Sequence, residues 1–235
     1  RTGRVAASAG LALLVACLQS PVASAAIPSA AKVRAEMGRA NAQAGRAQPL
    51  ALDVVLIDES GASAATGRAL LEPTGRARLE LTFADGRREL HERSPAGYLV
   101  TRDGVRVERA LPLLPPAQLL QAPTEAEVAA ALQLLGGEPE RVDLGISGGQ
   151  DCWVLGGRDP GPFDANRRPS YWFALEARRP VRIDEGDEAR FRLGAPVKHE
   201  SGVFFPAWIV VEAPGRPPWR IDVQRVAPAT PEGHR

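Results

Sequence analysis

The sequence is poor in the residues that carry catalysis, cross-linking and nucleic-acid binding. Its 235 residues include 2 Cys, 3 His, 1 Met and 2 Tyr, and aromatic residues make up 5%. The 29 Lys plus Arg and 28 Asp plus Glu give a formal net charge of +1, so no global cationic excess would draw the chain to a phosphate backbone. Hydrophobic residues at 44% and charged residues at 24% are ordinary for a globular protein. The composition argues against a disordered chain and predicts no nucleic-acid partner.

Motifs for metal and phosphate chemistry are also missing. None of the three histidines, His91, His199 and His234, has H-E-x-x-H spacing or a nearby Cys pair. There is no P-loop and no G-x-G-x-x-G. The sequence therefore predicts a non-enzymatic protein without a cofactor or metal. A hydrolase that uses Cys152, His91 or His199 is the alternative, although the apolar run around Cys152 is typical of a buried thiol.

Residues 1–25 have the pattern of an export signal. Two arginines precede an apolar run that ends at Leu18, and Ala23-Ser24-Ala25 offers the small side chains that signal peptidase needs. We expect cleavage after Ala25 and a periplasmic location. The alternative is a lipoprotein anchored to the membrane, because Leu14-Val15-Ala16-Cys17 resembles a lipobox in which Cys17 is lipidated. In either case Cys152 is the one cysteine left, which excludes an internal disulfide.

The rest of the chain is predicted to form one helix, a set of strands, two central helical segments and a second set of strands. Ser29 is a possible N-cap for a helix that extends to about Ala47. The apolar insertion from Leu111 to Leu120 is bounded by prolines, and Thr124 and Glu127 form a possible capping box for a helix that ends at Leu135. Elsewhere Gly and Pro separate runs of alternating hydrophobicity. The predicted strands are 50–57, 67–71, 76–83, 87–93, 97–102, 141–144, 151–155, 171–175, 181–183, 189–193, 203–211 and 219–226.

This order of elements predicts an α+β fold with an antiparallel sheet, because the strands outnumber the helices and do not alternate with them. We expect a single domain at 26–227 and a disordered tail at 228–235. The clean alternation in 76–83 places Leu79, Leu81 and Phe83 on one buried face. In a curved sheet, such a face is either a filled core or the wall of a ligand cavity.

Three stretches resemble the LolA/LolB-like superfamily of periplasmic lipoprotein-sorting carriers and outer-membrane lipoprotein receptors. Residues 67–81, GRALLEPTGRARLEL, look like its G-x-(strand)-P-x-x-x-R-(strand) hairpin. Residues 171–183, YWFALEARRPVRI, look like its strand that ends in an L-P-x-R turn, and residues 204–211, FFPAWIVV, look like its F-x-x-P-x-x-I strand. The likeness follows the order of elements over most of residues 29–227.

The resemblance implies a strongly curved, unclosed antiparallel sheet, a half β-barrel, with the N-terminal and central helices as a lid. It implies a non-enzymatic carrier of lipid or lipoprotein acyl chains that acts in outer-membrane lipoprotein sorting, with envelope membrane proteins as further partners. An envelope interaction or sensor module with the same fold and a filled core is the alternative. Trp172 and Phe173 cannot both line the cavity, because neighbours on a strand face opposite ways. The cavity candidates are Leu79, Leu81, Phe83, Trp172, Phe173 and Trp208, and the lid candidates are Leu113, Leu114, Leu119 and Leu120.

Overall fold

The computed structural model describes residues 27–108, 110–160 and 166–229. The expected export signal, with Cys17 and Ala25, lies outside the described residues, and so does most of the expected tail, 230–235. Among the described helices, none has the length and apolar character to cross a membrane.

Helices and strands follow one another in nearly the predicted order. The described elements are α1 (Ala30–Gln43), β1 (Leu50–Ile57), β2 (Ser63–Leu71), β3 (Ala77–Phe83), β4 (Arg88–Ser94), β5 (Gly97–Arg102), β6 (Val105–Arg106), α2 (Ala117–Gln121), α3 (Glu125–Leu134), β7 (Val142–Ser147), β8 (Gln150–Leu155), β9 (Ser170–Ala174), β10 (Arg179–Asp184), β11 (Arg190–Leu193), β12 (Pro196–Lys198), β13 (Phe204–Pro206), β14 (Trp208–Glu212) and β15 (Trp219–Pro228).

Both predicted helix starts are confirmed by their capping hydrogen bonds. The Ser29 side chain accepts from the backbone N–H of Lys32. Thr124 and Glu127 form a full capping box, in which each side chain accepts from the other's backbone N–H. The end of α1 comes earlier than the predicted Ala47, because the chain turns at Gly45 with a φ of +71°.

Two predicted boundaries are wrong. The run 203–211 is two strands, β13 and β14, which belong to different sheets. Pro206 has no N–H for a ladder, and the N–H of Ala207 donates to Ala195 O. The tail expected from residue 228 also starts too early, since Pro228 is the last residue of β15 and Ala229 N–H donates to Pro49 O.

The strands form one 13-stranded antiparallel sheet and a separate two-stranded ribbon, β12–β13. The order in the large sheet is β6-β5-β4-β3-β2-β1-β15-β14-β11-β10-β9-β8-β7. Its edge strands, β6 and β7, do not pair with each other, so the sheet is open. The α+β class and the unclosed sheet are therefore confirmed.

An ion pair between distant strands shows how strongly the sheet curves. Arg93 lies on β4, and Glu185 directly follows β10, which is seven places from β4 in the sheet order. A flat sheet would separate these strands by roughly 34 Å, at about 4.8 Å per strand. Instead, Arg93 Nη1 lies 2.6 Å from Glu185 Oε1. The two halves of the sheet thus fold toward each other over one concave face.

The three described helices cover this concave face. Their buried residues, such as Val33, Met37 and Leu132, join one apolar cluster with the inward side chains of the sheet. Arg34 ties α1 to the α3 region, because its guanidinium contacts Glu125 Oε1 at 2.9 Å and Glu140 Oε1 at 2.7 Å. The main core therefore lies between sheet and helices.

Candidate functional site on the concave face

Four of the six predicted cavity residues lie on the concave face. Leu79 and Leu81 are 1% and 2% exposed, and Phe173 is equally buried in the same apolar cluster. Phe83, at the end of β3, packs against the cluster while partly buried. These four residues share one apolar cluster with the buried side chains of the helices.

Trp172 and Trp208 lie on the opposite, outer face of the sheet, contrary to the prediction. Trp172 belongs to a second buried cluster with Cys152 and Val154. Trp208 alternates with the core residues Ile209 and Val211, and the Arg220 guanidinium lies 5.6 Å from its ring centroid. Alternation alone allowed only one of Trp172 and Phe173 to face inward, and Phe173 is the one that does.

Several aromatic residues of the concave cluster were not among the predicted cavity residues, including Phe191, Tyr171, Trp153 and Trp219. Tyr171 is fully buried there, and Trp153 and Trp219 pack against the cluster from partly exposed positions. Trp153 pairs with Phe173 across β8 and β9, and their rings stack with centroids 6.4 Å apart. Alternation along the strand could have identified Tyr171, since it lies two residues from Phe173 and so shares its face. For Trp153 the strand register had to be known.

All four predicted lid leucines are buried in the concave cluster. Leu113 and Leu114 lie in the Pro-rich segment that leads into α2, and Leu119 and Leu120 belong to α2 itself. We call residues 111–122 the lid. The structure therefore places the predicted lid and the predicted sheet face in one apolar cluster.

The Tyr98 hydroxyl holds one end of the lid. It accepts from the backbone N–H groups of Leu113, at 2.8 Å, and Leu114, at 3.2 Å. It also lies 3.0 Å from His91 Nδ1, to which it can donate its proton. Burial raises the pKa of Tyr98 well above its ordinary value, so the hydroxyl stays neutral and keeps that donor.

Arg93 joins the same end of the lid to both halves of the sheet. Its Nε donates to Leu114 O at 3.0 Å, and its two terminal nitrogens donate to the two carboxylate oxygens of Glu185 at 2.6 and 2.8 Å. Burial raises the pKa of Glu185, although the Arg93 charge opposes that shift. A bidentate pair of this kind fixes geometry as well as charge.

Two amides hold the other end of the lid. Asn41 Nδ2, on α1, donates to Leu119 O at 3.0 Å and to Ala122 O at 2.9 Å. Gln121 Nε2 donates to Gln48 O at 2.7 Å, while its Oε1 is buried without a hydrogen-bond partner in the described part of the chain. The lid is thus attached by a few side-chain hydrogen bonds at its ends and by leucine packing between them.

The outer face carries a buried polar network around Asp184. Its carboxylate accepts from Arg182, from the Trp172 indole N–H at 3.0 Å and from Asn166 at 3.1 Å, and Arg190 Nε lies 3.1 Å away. The Arg182 guanidinium in turn lies 4.2 Å from the Trp172 ring centroid. We call these five residues the outer cluster. Its charges and donors are satisfied internally, which is typical of a structural network.

The alternative hydrolase has no supporting geometry. Cys152 is fully buried on the outer face, where burial raises the pKa of its thiol to about 11. His91 pairs with Leu79 across β3 and β4 and therefore faces the concave side. His199 lies beyond β12, and burial lowers its pKa. A protonated thiol on the opposite face from His91 cannot form a nucleophile–base pair with it.

Within residues 27–108, 110–160 and 166–229, no group of three or more His, Cys, Asp or Glu side chains could hold a metal.

Comparisons with known proteins found likeness among solved structures. No family model and no curated protein matches the chain. A domain named for outer membrane lipoprotein sorting, from Vibrio parahaemolyticus, is 10% identical, with a TM-score of 0.47, over 84% of this chain and 94% of that one. This chain is similar to LolA-superfamily structures. A LolA superfamily protein from Nitrosomonas europaea is 13% identical, with a TM-score of 0.48, over 87% of this chain and 95% of that one. A DUF1329 family protein from Desulfovibrio piger is also 13% identical, with a TM-score of 0.48, over 88% and 96% of the two chains.

Proposed function

We propose that the protein is an exported, non-enzymatic carrier that holds lipid or lipoprotein acyl chains between the concave sheet face and the lid. The observation that carries this proposal is the apolar cluster that the two share. The lid presents Leu113, Leu114, Leu119 and Leu120 to a leucine-rich sheet face, and its backbone is attached by side-chain hydrogen bonds near its ends. Lifting it would uncover apolar surface on both sides. The proposed setting is the periplasm and the sorting of outer-membrane lipoproteins.

The described structure corresponds to the closed state of such a carrier, because the lid leucines occupy the place of the cargo. Four leucines transferred from the interior to water cost roughly 6–12 kcal/mol. An acyl chain of about 16 carbons, buried at about 0.8 kcal/mol per methylene, gains roughly 12 kcal/mol. The free energy lost when the lid leucines are exposed is therefore close to the free energy gained when the acyl chain is buried. An acyl chain can therefore replace the lid contacts and can also be released when the lid returns.

A module with a filled core is the second candidate, and the complete burial of Leu119 and Leu120 favours it. In that case, the same apolar contact would be permanent, and the envelope partner would bind elsewhere. The two functions differ in one property, which is whether the lid opens to an acyl chain.

The two tyrosines of the chain provide a matched test. Tyr98→Phe removes the hydroxyl that accepts two lid N–H groups, and Tyr171→Phe removes a buried hydroxyl that has no lid contact. Each lost hydrogen bond costs about 1 kcal/mol. We expect stopped-flow uptake of a fluorescent 16-carbon acyl probe to be about 10-fold faster in Tyr98→Phe and unchanged in Tyr171→Phe. Absence of saturable probe binding in both the wild type and Tyr98→Phe would refute the carrier and leave the filled-core module.

A further inference from the structure

Arg46 is a buried cation that has no carboxylate partner in the described part of the chain. The residue is 2% exposed, and its one side-chain hydrogen bond there runs from Nη2 to Asn41 Oδ1 at 2.6 Å. Its Nε–H has no acceptor among the described residues. Two other buried arginines are paired, Arg34 with Glu125 and Glu140 and Arg182 with Asp184. Because an unpaired buried charge is strongly unfavourable, Arg46 needs another explanation.

The end of α1 fixes the position of Arg46. The helix closes with a Schellman motif, in which Gly45 N–H donates to Ala42 O and Arg46 N–H donates to Asn41 O. Gly45 adopts the left-handed conformation that this motif requires. These backbone donors already occupy the carbonyls of Asn41 and Ala42, so the guanidinium is not needed to satisfy them. The helix C-terminus positions Arg46 without supplying its missing acceptors.

A cleft of about 200 Å³ lies over Arg46. It is bounded by the end of α1, the turn between β9 and β10, and the β12–β13 ribbon, and its lining includes three arginines and no acidic residue. Arg178 lies at the exposed rim, 3.7 Å from Glu36, and Arg179 donates to Gly194 O. The remaining walls are largely apolar and include Pro196, Phe204 and Pro206. The lining of the cleft thus combines cationic residues with apolar ones.

The Tyr171 hydroxyl adds a second polar group near Arg46. It is fully buried and makes no hydrogen bond of good geometry to a described residue. Burial raises the pKa of Tyr171 to about 12, although the Arg46 charge and the Asn41 side chain act in the opposite direction. The hydroxyl therefore keeps its proton as a hydrogen-bond donor. Arg46, Asn41 and Tyr171 form a polar group with spare donors inside an otherwise apolar core.

We propose that the Arg46 cleft binds an anionic group, a carboxylate or a phosphate, that is attached to a small apolar body. Arg46 is the primary ligand, because it has a full charge and an unused N–H donor, and guanidinium matches both anions geometrically. Arg178 and Arg179 attract the anion at the rim, and Phe204 with the two prolines contacts the apolar body. The volume is below the roughly 300–1,000 Å³ of sites for drug-sized ligands, so the occupant is a small anion or the head group of an amphiphile. This site goes beyond the proposed function, because it binds a charge outside the lid–sheet contact.

Isothermal titration calorimetry with three probes tests the proposal and identifies the source of the anion. The probes are octanoate, its neutral counterpart octanol, and inorganic phosphate. Octanoate should bind saturably and octanol should not. If phosphate binds as tightly as octanoate, the site takes free small anions; if octanoate alone binds, it takes an amphiphile head group. Failure of both anions, or equal binding of octanol and octanoate, would overturn the proposal.

Two charge-removing variants locate the site. Arg46→Met should weaken octanoate binding about 10- to 100-fold, which is the range expected for charged hydrogen bonds. Arg68→Met, on the exposed surface of β2, removes the same charge and should change affinity less than about 2-fold. Near-UV circular dichroism checks folding of both. Equal weakening by the two variants would show a non-specific charge effect and contradict the assignment.

Nuclear magnetic resonance of the wild type keeps the proposal testable if Arg46→Met does not fold. The Arg46 Nε–H signal should shift during the octanoate titration, because a new acceptor reaches the guanidinium. An unchanged signal at saturating octanoate would refute the site. Uptake of the fluorescent acyl probe is compared between the wild type and Tyr98→Phe, both of which keep Arg46, so failure of the cleft and failure of the carrier proposal give different results.

Discussion

The outer cluster and the Arg46 cleft show two ways in which this fold buries an arginine. In the outer cluster, Arg182 is 3% exposed and donates through Nε and Nη2 to the two Asp184 carboxylate oxygens at 2.7 Å each, with the Trp172 ring against it. In the cleft, Arg46 is equally buried but its side chain has a neutral amide oxygen as its one hydrogen-bond acceptor among the described residues. Equal burial thus accompanies very different pairing.

The number of hydrogen-bond and charge partners separates a structural polar group from a binding group. A buried charge with a complete set of partners stabilises one arrangement of the chain, and removal of one partner leaves the other unpaired. A buried cation without a carboxylate partner is stabilised more by an incoming anion than by the groups of the chain around it. Removal of a charge should therefore cost much more stability in the outer cluster than in the cleft.

The largest expected effect is the loss of the Asp184 carboxylate. Asp184→Ala leaves Arg182 as a buried charge without its anion and removes an acceptor of the Trp172 indole N–H. We expect a loss of about 3–5 kcal/mol of unfolding free energy, or a fall in Tm of roughly 10 °C. Chemical denaturation and calorimetry measure both.

A double variant provides the control for Asp184→Ala. Arg182→Met combined with Asp184→Ala removes both charges, and it should recover much of the lost stability because no unpaired ion remains. A double variant less stable than Asp184→Ala would show that Arg182 stabilises this region by packing alone, and the comparison with Arg46 would then fail.

A smaller loss is expected where Gly145 approaches Trp172. A Cβ at Gly145 would lie 2.4 Å from Trp172 Cζ3, so the ring or the strand must shift. Gly145→Ala should cost about 1–3 kcal/mol by overpacking and should change the tryptophan near-UV signal. Ala69→Gly is the comparison variant, because it removes a buried methyl group on the concave face. Retained stability in Gly145→Ala would show that the outer cluster tolerates displacement of the indole.

Arg46→Met should leave unfolding free energy within about 1 kcal/mol of the wild type. It removes an unpaired buried charge, which is favourable, and it leaves Asn41 Oδ1 without its donor, which is unfavourable by a similar amount. The expected loss is thus much smaller than that for Asp184→Ala, although both side chains are buried. Denaturant unfolding of both variants in one buffer makes the comparison, and a loss of 3 kcal/mol or more for Arg46→Met, of the order expected for a broken pair, would contradict a binding role.

The smallest effect is a dependence of stability on pH through His199, beside the ribbon that bounds the cleft. Its Nε2 is buried without a described partner, and burial lowers its pKa below the ordinary 6.5. The folded state therefore binds fewer protons than the unfolded state just below pH 6.5, so the contribution is present above 6.5 and is lost as the pH falls. His199→Gln should flatten the Tm curve between about pH 7.5 and 5. An identical slope in both proteins would assign the effect to other groups.

Local signals in the sequence predicted much of the fold. Ser29 and the pair Thr124 and Glu127 marked both helix starts, because caps depend on side chains within one turn. Alternation placed Leu79 and Leu81 on one face, and prolines with leucines marked the lid. The strand break at Ala207 was not predicted, because it depends on which neighbour accepts or donates across the sheet.

From the sequence alone came most of the element types, the shared face of Leu79 and Leu81, and the rule that Trp172 and Phe173 could not both face inward. Those properties follow from contacts within a few residues along the chain. The tertiary structure decided which tryptophan faced the helices, that Arg93 meets Glu185 across the curved sheet, and that Arg182 has a carboxylate while Arg46 has none. Such pairings join residues far apart in sequence, and neither periodicity nor composition specifies them.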